Sequence, residues 1–225
     1  MYNFGTHDID LDINLHNELA NQMFNTSDIK LTGTKNFNYF CAVPKDIKHN
    51  LRDFANNLTG KFNDWHFDYF HSGEPAGLHT DFDTVPWDEK MECHVVVGLI
   101  IPLEWKCKQP YTVNYNKVSE IPRKLLYRNG EMRYRDNNEL FVYRDKWEYD
   151  KEVQRYNPAD TAYAKEYADL KVHSVYEWKI GTAMLFDAKR WHSSSWFLSN
   201  NNLPETSVEY KRAIIGFGSI DVQRN

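Results

Sequence analysis

The sequence has little cysteine and no long hydrophobic run, and both absences exclude whole classes of protein. Its 225 residues include only 3 cysteines, and none of them forms the Cys-x-x-Cys pair of a zinc ribbon or a redox dithiol. No stretch approaches the ~18 consecutive apolar residues of a membrane-spanning helix. The N-terminus also lacks the basic and then apolar pattern of a secretion signal. We therefore expect a cytoplasmic protein with reduced thiols and no membrane partner.

An excess of positive charge is also missing. The chain has 27 Lys and Arg residues against 32 Asp and Glu residues, which gives a formal net charge of -5. This balance does not favour a nucleic-acid partner, although it leaves a local basic surface open. Aromatic residues make up 15% of the chain and hydrophobic residues 41%, enough for a substantial core. The length suits a single domain, residues 1–225.

Hydrophobic spacing predicts a mainly β protein with few helices. The segment Val95–Ile101 is apolar on both faces, as expected for a central strand that is covered on both sides. A stripe of apolar residues over 44–58 repeats at helical spacing and predicts a helix packed on the outside of a sheet. Alternation of Leu11, Ile13 and Leu15 predicts an edge strand. Further strands are predicted over 65–70, 131–135, 140–144, 176–180, 182–186 and 207–222. This pattern favours a sandwich or barrel.

The segment Lys106–Tyr176 differs in composition from the rest. It holds 14 Lys and Arg residues against 11 Asp and Glu residues, together with 10 of the 14 tyrosines. It has no long aliphatic run, so it cannot easily form a core of its own. We therefore predict that 106–176 is an insertion or lid within the single domain.

Two histidines and one carboxylate form a candidate metal site. His79 and Asp81 are two residues apart, so in an extended chain their side chains point to the same face. A neutral imidazole and a carboxylate suit a divalent metal such as Fe(II). His192 follows the strand predicted over 182–186 and supplies a second imidazole. Two histidines and a carboxylate would leave three coordination positions open for substrate or oxygen.

Arg212 is a candidate anion-binding residue. In the last predicted strand, it shares a largely apolar face with Tyr210 and Ile214. A buried guanidinium needs an anionic partner, because an unpaired buried charge costs several kcal/mol. The partner is either a structural Asp or Glu, or the far carboxylate of a small dicarboxylate ligand held by two hydrogen bonds. Arg190 competes for this role.

The order of His79, Asp81, His192 and Arg212 along the chain resembles that of the Fe(II)/2-oxoglutarate-dependent oxygenases. These enzymes carry an His-x-Asp motif, a distant histidine and a basic residue on a late strand. The segments 68–73 and 181–192 resemble the family's approaches to its first and second histidine. The resemblance implies a double-stranded β-helix, a jelly-roll or cupin-like barrel. It also implies Fe(II) on His79, Asp81 and His192, with the far carboxylate of 2-oxoglutarate held by Arg212 and Tyr69.

The chain departs from that family in the long gap between His79 and His192, in the twenty residues between His192 and Arg212, and at Ile214. Ile214 stands where many members carry Ser or Thr two residues after the arginine, which leaves Tyr69 or another hydroxyl group as the helper that the resemblance implies for the 2-oxoglutarate carboxylate. The implied reaction is a dioxygenase reaction, with hydroxylation as the default outcome and with succinate and CO2 formed from 2-oxoglutarate and O2. The primary substrate is left open among a small metabolite, a peptide and a nucleobase.

Two other functions fit the same residues. One is a metal-binding β-barrel that acts as an isomerase or hydrolase without 2-oxoglutarate, in which Arg212 has a structural partner. The other is a non-catalytic binding module on the same barrel. Dependence on 2-oxoglutarate separates the first alternative from an oxygenase, and metal content separates the second.

Overall fold

The computed structural model describes residues 4–26, 38–60, 62, 64–73, 80–88, 91–107, 109–118, 123–128, 131–136, 139–142, 171–194 and 210–221. The helices are α1 (Ile13–Thr26) and α2 (Lys45–Thr59). The strands are β1 (Gly5–Asp8), β2 (Asn38–Ala42), β3 (Asp64–Ser72), β4 (Asp83–Asp88), β5 (Met91–Lys106), β6 (Tyr111–Val118), β7 (Arg123–Arg128), β8 (Glu131–Asp136), β9 (Glu139–Val142), β10 (Val172–Glu177), β11 (Thr182–Asp187), β12 (Arg190–Ser194) and β13 (Tyr210–Asp221).

The described strands form two sheets. In the large sheet, β13 pairs antiparallel with β3 along one edge and with β5 along the other. The far edge of β5 carries β11 and β4 at different places, and β1 pairs with β11. In the small sheet, β6 lies between β10 and β12, and both pairs are antiparallel. The mainly β architecture predicted from the sequence is confirmed.

The two faces of the large sheet pack against different elements, the helices on one side and the small sheet on the other. On the face that we call the helix side, Phe24 of α1 and Leu51 of α2 join Tyr69 and Ile214 in one buried cluster. On the opposite face, Phe70, Met184 and Ala213 pack against Trp178, which follows β10 of the small sheet. We call the region between the two sheets the inter-sheet space. Neighbouring residues of a strand point alternately to these two environments.

The helices bear out one sequence prediction and overturn another. Helix α2 is confirmed, with Pro44 just before it and Gly60 after it at a φ of 85°. The predicted edge strand at Leu11–Leu15 is wrong, because α1 begins at Ile13. The backbone N–H of Leu15 donates to Oδ1 of Asp12 at 3.1 Å. Asp12 thereby satisfies a backbone donor of the first helical turn, which has no partner inside the helix.

The segment 106–176, which the sequence predicts to be an insertion or lid, contributes strands to both sheets. Strands β6 and β10 lie near the two ends of 106–176, and they pair with each other in the small sheet. Between them, β7, β8 and β9 form successive antiparallel pairs, and β7 joins the large sheet through a parallel pair with β4. The role of 106–176 as an insertion or lid stays a prediction. Among the residues that the structure describes, neither helix is long and apolar enough to cross a membrane.

Candidate metal centre

Two of the three predicted metal ligands lie side by side. Asp81 precedes β4, and its backbone N–H donates at 2.9 Å to the carbonyl oxygen of Ala188, in the turn between β11 and β12. This bond brings Asp81 beside β12, which carries His192. Oδ2 of Asp81 lies 3.2 Å from Nε2 of His192, and the His192 side chain is only 5% exposed. The third predicted ligand, His79, lies outside the described residues.

The hydrogen bonds of His192 favour a cation between the two side chains. Nδ1 of His192 lies 2.9 Å from the carbonyl oxygen of Arg190. A carbonyl only accepts, so Nδ1 carries the hydrogen and the neutral ring has its lone pair on Nε2. That lone pair faces a carboxylate oxygen, and the two repel each other unless a proton or a metal ion lies between them. An imidazole held by a backbone carbonyl is the usual arrangement at metal sites, so the two side chains fit a divalent cation as well as the proton of an ordinary ion pair.

Phe186 holds the His192 ring from the large sheet. The two ring centroids are 4.7 Å apart. Phe186 is the partner of Gly98 across the β11–β5 pair. A Cβ atom added at Gly98 would overlap the Phe186 ring. The absence of a side chain at Gly98 therefore lets Phe186 lie flat on the sheet beneath the histidine.

A buried cation, which the sequence analysis did not select, lies in the inter-sheet space. Lys211 is only 2% exposed, and its Nζ lies 5.0 Å from the ring centroid of Trp178 and 5.8 Å from that of Phe70. Trp178 donates from Nε1 to Oγ1 of Thr112 at 3.0 Å. Thr112 lies on β6, two residues from the partner of His192. Contacts therefore connect Lys211 with the strand beside the candidate metal ligands.

Arg212 points to the helix side, away from Lys211. The register opposes Arg212 to His71 and Lys211 to Ser72. The Arg212 side chain lies near three groups: Asn21 Oδ1 at 3.0 Å, Glu104 Oε2 at 3.4 Å and His71 Nδ1 at 3.3 Å. Burial, reinforced by the charge of Arg212, lowers the pKa of His71 to about 4. His71 is therefore neutral at neutral pH and accepts a hydrogen bond from Arg212.

The Glu104 carboxylate links Arg212 to a tyrosine. Tyr210 donates from its hydroxyl to Glu104 Oε1 at 2.8 Å, and its ring stacks on His71 with centroids 5.1 Å apart. The structural carboxylate partner considered for Arg212 in the sequence analysis is thus present. Its rival, Arg190, donates from Nη1 to the carbonyl oxygen of Tyr115 at 2.9 Å. The structure holds no test of whether Arg212 also binds 2-oxoglutarate, and that role stays a prediction.

Tyr69 is buried on the helix side, opposite Ile214 of β13. Its hydroxyl lies 2.9 Å from Nδ1 of His16 on α1. Burial lowers the pKa of His16 and raises the pKa of Tyr69, so both groups are neutral at neutral pH. The hydrogen bond therefore ties α1 to the large sheet. The predicted role of Tyr69 as a helper for 2-oxoglutarate stays untested.

Solved structures of iron- and 2-oxoglutarate-dependent enzymes have a similar fold. One is SnoK, a non-heme alpha-ketoglutarate-dependent carbocyclase from nogalamycin biosynthesis, with a TM-score of 0.53, 11% identity, and coverage of 96% of this chain and 80% of that chain. Another is the epimerase SnoN in complex with Fe3+, alpha-ketoglutarate and nogalamycin RO, with a TM-score of 0.50, 8% identity, and coverage of 97% and 79%.

Sequence comparisons add no relative to these structures. No protein-family model matches the chain, and no curated protein sequence matches it. The fold resemblance nevertheless spans nearly the whole chain. It confirms the double-stranded β-helix that the family resemblance implied, a jelly-roll barrel of the kind that the iron- and 2-oxoglutarate-dependent enzymes share.

Proposed function

We propose that this protein is an Fe(II)- and 2-oxoglutarate-dependent oxygenase. The observation that carries the proposal is the 3.2 Å approach of Asp81 Oδ2 to His192 Nε2, with the hydrogen of His192 directed to a backbone carbonyl. The fold supports it, because neighbours with this architecture are described as enzymes that use alpha-ketoglutarate. When bound, iron would activate O2 for the oxidation of the substrate, and 2-oxoglutarate would be converted to succinate and CO2.

The protein residues hold and orient these groups. Asp81 and His192 bind the metal, and His79 completes the set that the sequence predicted. The Arg190 carbonyl fixes which nitrogen of His192 faces the metal, and Phe186 supports the ring. The metal is held by one loop and by one strand of the small sheet, with the inter-sheet space beside it.

For the far carboxylate of 2-oxoglutarate, the structure offers Lys211 beside the sequence candidates Arg212 and Tyr69. Lys211 lies in the same inter-sheet space as His192, whereas Arg212 and Tyr69 face α1. A lysine ammonium in a buried aromatic setting interacts strongly with a carboxylate, because little water screens the charges. We favour Lys211 as the carboxylate-binding residue.

The primary substrate and the outcome of its oxidation are part of the proposal. Hydroxylation is the default for this chemistry, although the two neighbours are described as a carbocyclase and an epimerase. We propose hydroxylation of a small metabolite, a peptide or a nucleobase in the cytoplasm, with O2 as the second cosubstrate. Trapping the product by mass spectrometry, with 2-oxoglutarate consumption as the screen, identifies the substrate.

The metal site can be tested with Mn(II) in the absence of oxygen. We expect the wild-type protein to bind one equivalent, measured by loss of the free Mn(II) electron paramagnetic resonance signal. Asp81→Ala and His192→Ala should each weaken binding by orders of magnitude, because each removes one of three protein ligands. Binding of 2-oxoglutarate, measured by calorimetry, should then require the bound metal.

A second histidine–carboxylate pair provides the matched control. His66 Nε2 lies 2.8 Å from Asp68 Oδ2, and the His66 side chain is 54% exposed. This hydrogen bond raises the pKa of His66, as expected for an ordinary ion pair. His66→Ala should leave Mn(II) affinity unchanged. Equal Mn(II) binding by wild type and by His192→Ala would contradict the metal site, and metal binding without any 2-oxoglutarate binding would favour an isomerase or hydrolase.

A further inference from the structure

A buried asparagine lies directly beside the candidate metal ligand His192. Asn114 of β6 is the cross-strand partner of His192, and it is only 1% exposed. Cross-strand partners extend their side chains to the same face of a sheet, with Cβ atoms about 4.5–5.5 Å apart. Thr112, two residues earlier on the same face, contacts Trp178 of the inter-sheet space. Asn114 therefore faces the inter-sheet space next to the metal site.

The hydrogen bonds of Asn114 are incomplete. Its Nδ2 lies 3.3 Å from Oγ of Ser174 on β10. Its Oδ1 is buried and has no hydrogen-bond partner in the described part of the chain. A buried polar atom without a partner costs free energy that a folded protein seldom leaves unrecovered. One hydrogen bond at this carboxamide is therefore left unmade among the described residues.

The atom of the Asn114 carboxamide that faces away from Ser174 can be the acceptor Oδ1 or the donor Nδ2, depending on how the group is rotated. A serine hydroxyl donates as well as it accepts, so a half-turn of the carboxamide lets Oδ1 accept from Ser174 and frees Nδ2. The groups of 2-oxoglutarate are carboxylates and a ketone, which only accept. The freed N–H is thus the end that suits this ligand, and Ser174 satisfies the other end.

The position of Asn114 fits a ligand that extends from the metal toward Lys211. Asn114 lies beside His192, and Thr112 lies beside Trp178, on which Lys211 stacks. Alternate residues of a strand are about 6.6 Å apart, comparable with the length of a five-carbon dicarboxylate. The inward face of β6 thus offers two uncharged polar side chains between a metal ligand and a cation.

We propose that Asn114 is a recognition residue for 2-oxoglutarate, donating a hydrogen bond from its carboxamide to the cosubstrate beside the metal. This inference rests on the proposed function and adds a specificity residue to it. Asn114 selects a ligand that accepts hydrogen bonds at that point, and it disfavours one that presents only donors there.

The test measures 2-oxoglutarate binding to the Mn(II)-loaded protein without oxygen, in two variants of Asn114 and in one control variant. Asn114→Asp keeps the side-chain shape, removes the donor and adds a negative charge, so the dissociation constant of 2-oxoglutarate should rise ~10²-fold or more. Asn114→Ser retains a donor and should raise it only ~10-fold or less. Asn116→Asp is the matched control on the same strand, because Asn116 is exposed. It should leave the 2-oxoglutarate dissociation constant unchanged.

Mn(II) affinity, measured in parallel, separates recognition from damage to the metal site. The proposal requires that Asn114→Asp bind Mn(II) at least as tightly as wild type while it loses 2-oxoglutarate. Unchanged 2-oxoglutarate affinity in Asn114→Asp overturns the role of Asn114 and leaves the proposed function intact. A wild-type protein that binds Mn(II) but no 2-oxoglutarate overturns the proposed function and this inference with it.

Discussion

At the scale of single residues, the main finding is that two adjacent cations have opposite surroundings. Lys211 stacks on aromatic rings in the inter-sheet space, whereas Arg212 lies near Glu104, Asn21 and His71 on the helix side. Their positions follow from the alternation of a β-strand. Lys211 and Arg212 therefore contact different groups, and each can be substituted without removing the contacts of the other.

The two cations make a prediction for ligand binding. Lys211→Met should raise the dissociation constant of 2-oxoglutarate by ~10²-fold, because truncating one partner of a buried charge pair costs about 2–5 kcal/mol. It should leave binding of 2-oxopentanoate unchanged, since that ligand has the same chain length and no second carboxylate. Calorimetry with Mn(II)-loaded protein measures both.

Arg212→Met is the matched variant on the opposite face. It should lower the free energy of unfolding by about 1–3 kcal/mol, because it removes hydrogen bonds of a buried charged group. Discrimination between the two oxoacids should persist in this variant. A selective loss of 2-oxoglutarate binding in Arg212→Met, with Lys211→Met unaffected, would return the role to Arg212 as the sequence predicted.

At the scale of elements, the pairing of β11 with β5 places Phe186 against the ring of His192. Gly98→Ala would force Phe186 to move, and Phe186 contacts the His192 ring. Overpacking of this kind costs about 1–3 kcal/mol of stability. We expect Gly98→Ala to lower the unfolding midpoint, measured by thermal melting, and the affinity for Mn(II), measured by calorimetry.

Gly218→Ala separates the local effect from general destabilisation. An added Cβ atom there would lie 3.1 Å from the Trp65 ring, in the cluster on the helix side. This variant should lose some stability and keep its Mn(II) affinity. Equal loss of Mn(II) affinity in both glycine variants would show that Phe186 has no special role in holding His192.

The elements also show where sequence patterns succeed and fail. Strand β5 was predictable because its apolar run covers both faces, and helix α2 because its apolar residues repeat at helical spacing. Helix α1 was missed because Leu11, Ile13 and Leu15 alternate, and only the cap at Asp12 signalled a helix. Lys211 was missed because both faces of β13 are apolar, so alternation alone does not show which face meets the small sheet. Pairing with β3 and β5 decides this, and it is a long-range property.

At the scale of the whole molecule, the proposed ligands connect parts of the fold that are otherwise separate. His192 belongs to the small sheet and Lys211 to the large sheet, while Asp81 lies on the loop before β4. The motif order in the sequence predicted a joint site for Asp81 and His192, and the structure brings the two side chains within 3.2 Å. Metal binding itself stays a prediction.

Ligand binding should therefore stabilise the entire molecule. A ligand at 100 times its dissociation constant adds about 2.7 kcal/mol to the free energy of unfolding, which for a chain of this size raises Tm by roughly 5–10 °C. We expect one increment from Mn(II) and a second from 2-oxoglutarate. Lys211→Met should keep the first increment and lose the second. An increment from 2-oxoglutarate without metal would contradict the proposed arrangement.

The bond from the Asp81 backbone to Ala188 has a consequence for the order of events during synthesis. Asp81 leaves the ribosome well before the turn at Ala188 and strand β12, which complete its surroundings. Contacts so far apart in sequence form late in folding. A nascent chain therefore cannot assemble the proposed metal site until β12 has left the ribosome and has paired with β6.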